Sequence, residues 1–256
     1  DPIVSLCETA AAHIMGIYAR DFSVSSKEDN SPLTEADIAS HRILVRGLST
    51  LTPDIPVLSE ESADIPWEQR REWQQYWLVD PLDGTKEFIN RNGEFTVNVA
   101  LIEDGIPTIG VVSAPVVNCT WYAAAGAGAF RRRNASHGEA IYTRVAPQPP
   151  VVVASRSHRS DALQSYLSEL GPHEDISCGS SLKFCRVAEG AADCYPRLGP
   201  TSEWDTAAGH CVVEQAGGRV SIAGGEPLRY NQKESVLNPN FLVIGDLEKE
   251  YPELAD

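Results

Sequence analysis

The sequence predicts an α/β protein, α+β in its N-terminal half and alternating α/β in its C-terminal half. Three observations carry that reading. Ile3, Leu6, Cys7, Ala10, Ile14 and Ile17 recur at the spacing of one helix face. Short strand-like segments then crowd residues 96–124, with Asp104-Gly105 as a hairpin turn between the first two. After a proline-rich stretch, Val151-Val152-Val153-Ala154 is a continuous apolar run suited to a strand covered on both faces, and helix and strand patterns alternate beyond it.

The elements follow in order. The opening amphipathic helix gives way at Ser23 to a polar stretch that reads as a mobile loop or hairpin and ends at Pro32. Thr34 resembles an N-cap, with Asp37 at the third helical position as its capping-box partner, and Ile38, Ile43, Leu44 and Leu48 form the apolar face of that second helix. Residues 56–61 make a short strand ending in Glu60 and Glu61, and residues 66–75 a loop with a helical turn. Strands are expected over residues 96–102, 109–114 and 121–124, and Arg131-Arg132-Arg133 as a solvated hairpin tip. Pro147-Gln148-Pro149-Pro150 is the candidate linker, dividing the chain into residues 1–146 and 147–245. Helices are expected over residues 161–170, 181–189 and 205–216, strands over 192–195 and 241–244, and a mobile acidic tail over 246–256. The sequence contains no internal repeat.

At 256 residues, with 42% hydrophobic and 22% charged residues, the composition is that of an ordinary globular protein with a substantial core. No apolar run approaches the ~18–20 residues that span a bilayer. The first residues lack a basic segment and a long apolar core, so no signal peptide is expected. A net charge of −15 argues against polymeric nucleic acid and anionic membranes as partners. It leaves room for a small anionic ligand, provided that bound divalent cations reverse the local field. Cys7, Cys119, Cys178, Cys185, Cys194 and Cys211 form no C-x-x-C pair and sit in apolar surroundings. They read as buried reduced thiols, which places the protein in the cytoplasm, with peripheral contact at the inner membrane face left open.

The chemistry concentrates in Trp77-Leu78-Val79-Asp80-Pro81-Leu82-Asp83-Gly84-Thr85. An apolar strand delivers two carboxylates three residues apart, Pro81 stiffens the turn between them, and the Leu82 carbonyl offers a third oxygen. Mg²⁺ prefers such oxygen donors, with water and substrate phosphate filling its remaining positions. Gly84 lets backbone approach an anion, and the Thr85 hydroxyl can orient a water. Asp-Pro and Asp-Gly are also ordinary turn punctuation, so the motif alone does not decide. Asp205, in Trp204-Asp205-Thr206-Ala207-Ala208-Gly209-His210, reads equally as a plain helix N-cap.

Taken together, these residues resemble a known family. Asp80-Pro81-Leu82-Asp83-Gly84-Thr85 and Trp204-Asp205-Thr206-Ala207-Ala208-Gly209, with Gly217-Gly218 after it, match the two signatures of the inositol monophosphatase-like, lithium-sensitive phosphatases. Ser59-Glu60-Glu61-Ser62 and the Thr34/Asp37 pair match two weaker landmarks in the right order. Within that family, the segment Asp83 to Thr96, Ser155-Arg156-Ser157-His158, Gly179-Ser180-Ser181-Leu182-Lys183-Phe184-Cys185 and Tyr195-Pro196-Arg197 are similar to the bacterial 3'(2'),5'-bisphosphate nucleotidases. The resemblance runs from near the N-terminus to about Gly245.

The resemblance implies a layered αβαβα sandwich with the site between its halves. It also implies two or three Mg²⁺ ions held by Glu60, Asp80, Asp83, Asp205 and the Leu82 carbonyl. Such ions would grip the phosphoryl group, activate a water and neutralise the leaving oxygen. Thr85, hydrogen-bonded to Asp37, would orient that water, with Glu60 assisting and the Gly84 and Thr85 N–H groups meeting the phosphate. The implied substrate is adenosine 3',5'-bisphosphate, converted to AMP and phosphate in the recycling of nucleotides from sulfur assimilation, with 3'-phosphoadenylyl sulfate as a second substrate. Its non-reacting phosphate needs fixed positive charge away from the metals; Lys183 and Arg197 are the candidates, with Ser155, His158 and Gly179 near the nucleoside. An inositol monophosphatase, a fructose-bisphosphatase and a non-catalytic nucleotide or metal sensor remain alternatives. Monomer and homodimer are both left open.

Overall fold

The computed structural model describes residues 2–26, 31–134, 136–154 and 160–254. Helices α1 (Pro2–Tyr18) and α2 (Glu35–Leu51) are separated by the antiparallel pair β1 (Val24–Ser26) and β2 (Pro32–Thr34). Next come β3 (Val57–Ser59), the 3-10 turn Glu60–Ser62, the short helix α3 (Trp67–Arg70), β4 (Gln75–Asp83), α4 (Thr85–Ile89), β5 (Thr96–Glu103), β6 (Ile106–Ala114), β7 (Cys119–Ala124), β8 (Gly128–Arg133) and β9 (Glu139–Ile141). The remainder holds β10 (Val151–Ala154), α5 (Asp161–Leu170), β11 (Glu174–Ser177), α6 (Leu182–Ala188), β12 (Cys194–Arg197), α7 (Glu203–Gln215), β13 (Arg219–Ile222) and β14 (Phe241–Ile244).

Strands β3 to β9 form a seven-stranded sheet in sequence order, parallel at β3–β4 and antiparallel elsewhere. Alternation along β4 and β5 sends side chains to two different layers. Trp77, Val79, Val97, Val99 and Leu101 pack beneath α1 and α2, against Val4, Cys7, Ile14, Leu44 and Leu48. Tyr76, Leu78, Ala100 and Ile102 point the other way, onto Phe184 of α6 and Ala207, Cys211 and Val212 of α7. The same core continues into Val153, Tyr195 and Val243 of a five-stranded sheet ordered β11-β10-β12-β14-β13. The outer face of that sheet, Val152, Ala154, Cys194, Leu242 and Ile244, is covered by Leu163, Tyr166 and Leu167 of α5. The order of layers is αβαβα, as the resemblance implied.

Most elements lie where the sequence placed them, and the differences have physical reasons. Arg131-Arg132-Arg133 is not a hairpin tip but the end of strand β8. Its charges are answered by residues distant in sequence: Arg131 donates to Glu189 (2.9 Å) and Arg132 to Glu8 (2.7 Å). Strands β8, β9, β11 and β13 are short and polar enough to escape periodicity. Asp205 is not an N-cap; Ser202 takes that place and Asp205 sits in the first turn of α7. Of the tail expected to be mobile, Leu254 is buried and Tyr251 packs on the α5 side of the core. All six cysteines are buried and free. Among the described residues no helix is long and apolar enough to cross a membrane.

Helix α7 has to lie close on the first sheet, and Gly110 of β6 makes that possible. A Cβ at Gly110 would stand 2.4 Å from the Ala208 carbonyl oxygen and 2.7 Å from the Cys211 Cβ. Gly110→Val is therefore expected to destabilise the fold by about 1–3 kcal/mol or more, since overpacking against backbone is poorly relieved. Urea unfolding checks this; an unchanged midpoint and slope would mean that α7 can move off the sheet freely.

Candidate active site

Strand β4 carries the first acidic groups to the sheet edge nearest α2. Asp80 pairs across to Asn98 and Asp83 to Thr96, with a register irregularity between them where Pro81 lacks an N–H for the ladder. The turn is held from several sides. The Ser40 hydroxyl of α2 donates to the Pro81 carbonyl (2.7 Å), and the Leu82 N–H donates to Asp80 Oδ1 (3.0 Å). Gly84 then adopts φ +91°, where a Cβ would meet the Glu94 carbonyl at 3.1 Å. Only glycine takes this bend without strain.

Asp37 performs both roles that its position suggested. Its Oδ2 accepts from the Thr34 N–H (2.8 Å) and hydroxyl (2.6 Å), closing the capping box of α2. Its Oδ1 accepts from the Thr85 hydroxyl at 3.2 Å, and that hydroxyl also lies 3.4 Å from the Leu82 carbonyl. Asp205 repeats the arrangement on α7: its Oδ2 accepts from the Ser202 N–H (3.0 Å) and the Thr201 hydroxyl (2.7 Å). In both, one oxygen fixes the helix start and the rotamer; at Asp37 the other is thereby held toward Thr85.

Asp80, Asp83 and Asp205 bring carboxylate oxygens within 4.8 Å of one another. Such a set repels itself. Burial, then Glu60, Asp83 and Asp205, hold Asp80 well above the usual carboxylate range. Burial and Asp205 push Asp83 up to about 6, against the pull of Lys183 and the hydrogen bonds from Ser181. Burial, with Glu60 adding to it, raises Asp205 despite its bonds from Thr201 and Ser202. Glu60, on the 3-10 turn after β3, stands outside the tight trio but its charge acts on two of its members. An all-oxygen set that is short of positive charge suits a hard divalent cation.

A cavity of about 130 Å³ opens above this floor, lined among others by Asp83, Gly84, Gly179, Lys183, Arg197 and Asp205. Lys183 is buried, donates to the Ser180 carbonyl (2.7 Å), and lies 5.4 Å from the centroid of the Tyr195 ring. Its charge lowers the pKa of Asp83, so it stands beside the acidic floor rather than away from it. Arg197 acts on Asp205 in the same way and donates to the Pro200 carbonyl, while its Nε has no partner among the described residues. Ser155 and His158 lie outside the described residues.

Residues 2–254 match the sequence model of the inositol monophosphatase family. The chain belongs to the inositol monophosphatase family. Among curated members it is 55% identical over 246 residues to the 3'(2'),5'-bisphosphate nucleotidase CysQ of Escherichia coli O157:H7, covering 95% of this chain and 98% of that protein. It is 54% identical over 245 residues to CysQ of Salmonella typhimurium, with the same coverage of 95% and 98%. The crystal structure of CysQ from Bacteroides thetaiotaomicron, itself described as a bacterial member of the family, superposes with a TM-score of 0.85 at 42% identity, covering 96% of this chain and 97% of that one.

Sequence reasoning assigned no role to several residues that surround this candidate site. Asn98 is buried on β5 opposite Asp80. Ser181, Glu87 and Glu94 close the other side, with the Gly179 N–H donating to Glu94 at 2.8 Å. The signal for Asn98 was present: Thr96 and Asn98 interrupt an apolar strand at a spacing of two, so they share one face. Elsewhere, buried Arg70 donates to the Asn231 side chain (2.8 Å), and the Asn231 N–H donates to Glu203 at 3.0 Å. This chain of contacts fastens the segment after Glu60 to the first turn of α7.

The trio makes the metal-free protein sensitive to pH. Each raised pKa means that the folded state binds its proton more tightly than the unfolded chain. The stability that this supplies is present at low pH and is lost as the pH rises from about 4 through about 6 and above. A divalent cation should therefore raise the melting temperature more at about pH 7.5 than at about pH 5. Thermal melts with EDTA or MgCl₂ at both pH values check this; equal increments would place cation binding elsewhere.

Proposed function

We propose that this chain is a metal-dependent 3'(2'),5'-bisphosphate nucleotidase that hydrolyses adenosine 3',5'-bisphosphate to AMP and phosphate. The observation that carries the reading is the shared cavity. An acidic floor of Asp80, Asp83 and Asp205 lies beside two fixed cations, Lys183 and Arg197. A substrate with one reacting phosphate and one anchoring phosphate uses both parts. The names of the CysQ relatives point the same way.

In this reading Asp80, Asp83, Asp205, Glu60 and the Leu82 carbonyl hold two or three Mg²⁺ ions. When bound, such ions neutralise the transferring phosphoryl group and make water more acidic. The chain's own residues do the positioning. The Thr85 hydroxyl gives its proton to Asp37 Oδ1, so its oxygen is free to accept from the attacking water and fix its direction. The Gly84 and Thr85 N–H groups, at the start of α4, face the phosphoryl oxygens. Water oxygen bonds to phosphorus as the bond from phosphorus to the 3'-oxygen breaks; one water proton ends on that oxygen, giving the 3'-hydroxyl of AMP, and the other stays with the released phosphate. Lys183 and Arg197 anchor the 5'-phosphate, with Gly179 toward the nucleoside.

An inositol monophosphatase is the second reading, favoured by fold alone; a substrate with one phosphate offers Lys183 and Arg197 no second phosphate to anchor. A phosphate-release panel decides: adenosine 3',5'-bisphosphate, 3'-phosphoadenylyl sulfate, inositol monophosphate and fructose bisphosphate, with and without Mg²⁺. The bisphosphate nucleotide should turn over fastest and only with metal; faster inositol ester hydrolysis overturns the specificity. Asp83→Asn should lower kcat/KM by roughly 10³-fold and Thr85→Ala by roughly 10²-fold. Lys183→Met should raise KM about tenfold for adenosine 3',5'-bisphosphate and far less for 3'-AMP, matching one lost charge-assisted hydrogen bond. Steady-state kinetics on both nucleotides separates these effects.

A further inference from the structure

Ser181 precedes α6 and belongs to the half of the molecule opposite β4, yet its polar atoms converge on the acidic floor. Its N–H donates to Asp83 Oδ2 at 2.6 Å. Its hydroxyl oxygen lies 2.9 Å from the same Oδ2 and 2.5 Å from the Asp205 carbonyl oxygen. Asn98 of β5 donates its amide to the Ser181 hydroxyl oxygen (2.8 Å) and lies 3.4 Å from Asp83 Oδ2. The Thr96 hydroxyl reaches that oxygen at 3.5 Å. Both Ser181 and Asn98 are about 1% exposed, so these bonds form away from bulk water. Among the described residues, no hydrogen bond falls on Asp83 Oδ1.

We infer that Ser181, backed by Asn98, is a positioning residue that presets the cation site by fixing Asp83 and Asp205 relative to each other across the two halves. The hydroxyl has one proton and two acceptors. With Asn98 donating into its oxygen, that proton goes to the nearer Asp205 carbonyl while the N–H holds Asp83 Oδ2, and the two bonds together tie the end of β4 to the first turn of α7. Donors collected on Oδ2 stop rotation of the carboxylate and leave Oδ1 as the oxygen presented to a cation. A ligand set already ordered binds without first losing that freedom. Deleting the hydroxyl keeps the Ser181 N–H bond but releases the link to Asp205 and leaves the Asn98 amide only its longer contact with Asp83 Oδ2.

The inference rests on the metal-dependent reading of the site, and its test separates the two. Mg²⁺ is titrated calorimetrically into metal-free wild-type protein and into Ser181→Ala, Asn98→Ala and the double variant, alongside thermal melts. Kinetics then give the Mg²⁺ concentration for half-maximal activity and the substrate KM at saturating Mg²⁺. Ser181→Ala should weaken Mg²⁺ binding about tenfold and raise the half-maximal Mg²⁺ concentration by the same factor, with substrate KM changed less than about twofold. Asn98→Ala should act in the same direction more weakly, and the double variant should be no worse than Ser181→Ala, because both act through one hydroxyl. If wild type binds no Mg²⁺, the metal reading itself fails. If wild type binds and Ser181→Ala binds equally well, or if the two effects simply add, only the inference falls. Should Ser181→Ala not fold, Asn98→Ala decides alone; failure of both to fold makes these residues scaffolding and also overturns it.

Discussion

The structure is organised around carboxylates that repel each other at the place where its two sheets meet. Asp80 and Asp83 come from the end of β4, Asp205 from the first turn of α7, and Glu60 from the turn after β3. The three aspartates would not choose this company in a folded protein without counter-charge, since burial and neighbours both oppose their ionisation. The layers exist in a geometry that holds them there. Core packing through Phe184, Tyr195 and Phe241 fastens the second sheet under α6 and α7, and Gly110 lets α7 settle on the first. The work of folding and the strain of the site are thus two sides of one arrangement.

Helix starts solve the problem of aiming these groups. A carboxylate on a flexible loop would turn away from its like-charged neighbours. At Asp37 and Asp205, one oxygen is committed to the N-terminal N–H groups of a helix, where the dipole also favours negative charge. At Asp37 the capping-box reading of the sequence and a contact with Thr85 were therefore never rivals. Buried cross-connections, from Arg70 through Asn231 to Glu203 and from Arg144 to Asp193, hold the flanking segments with paired charges rather than flexible ones.

What could be read in the sequence depended on how close the parts lie along the chain. Asp80 to Thr85 was legible because its donors are consecutive, and the α2 cap because Thr34 and Asp37 are one turn apart. Asp205 was singled out as a candidate ligand but misplaced at the cap, although Ser202 three residues earlier carried the capping-box spacing. The helices and the long strands followed from periodicity; β8 did not, because its arginines find Glu8 and Glu189 only after folding. Lys183 was picked as a cation for a remote phosphate, yet its closeness to Asp83 is a matter of how α6 docks, which spacing does not encode. The meeting of Ser181, Asn98 and Asp83, from the start of α6 and two strands of the first sheet, was out of reach for the same reason.

The capping aspartates have a further bearing on hydrogen-bond polarity. An amide in place of a carboxylate is often treated as the mildest of changes, the loss of a charge at constant shape. At Asp37 it would be something else. Asparagine has one acceptor oxygen, and the Thr34 N–H at the helix start would claim it. The atom then facing Thr85 would be an NH₂ group, a donor where the structure has an acceptor. The Thr85 hydroxyl would lose its nearer acceptor and have to turn its proton to the Leu82 carbonyl or outward, and its lone pairs would then face the new donor. In this fold the direction of each hydrogen bond, as much as the charge behind it, is built into the first turn of a helix.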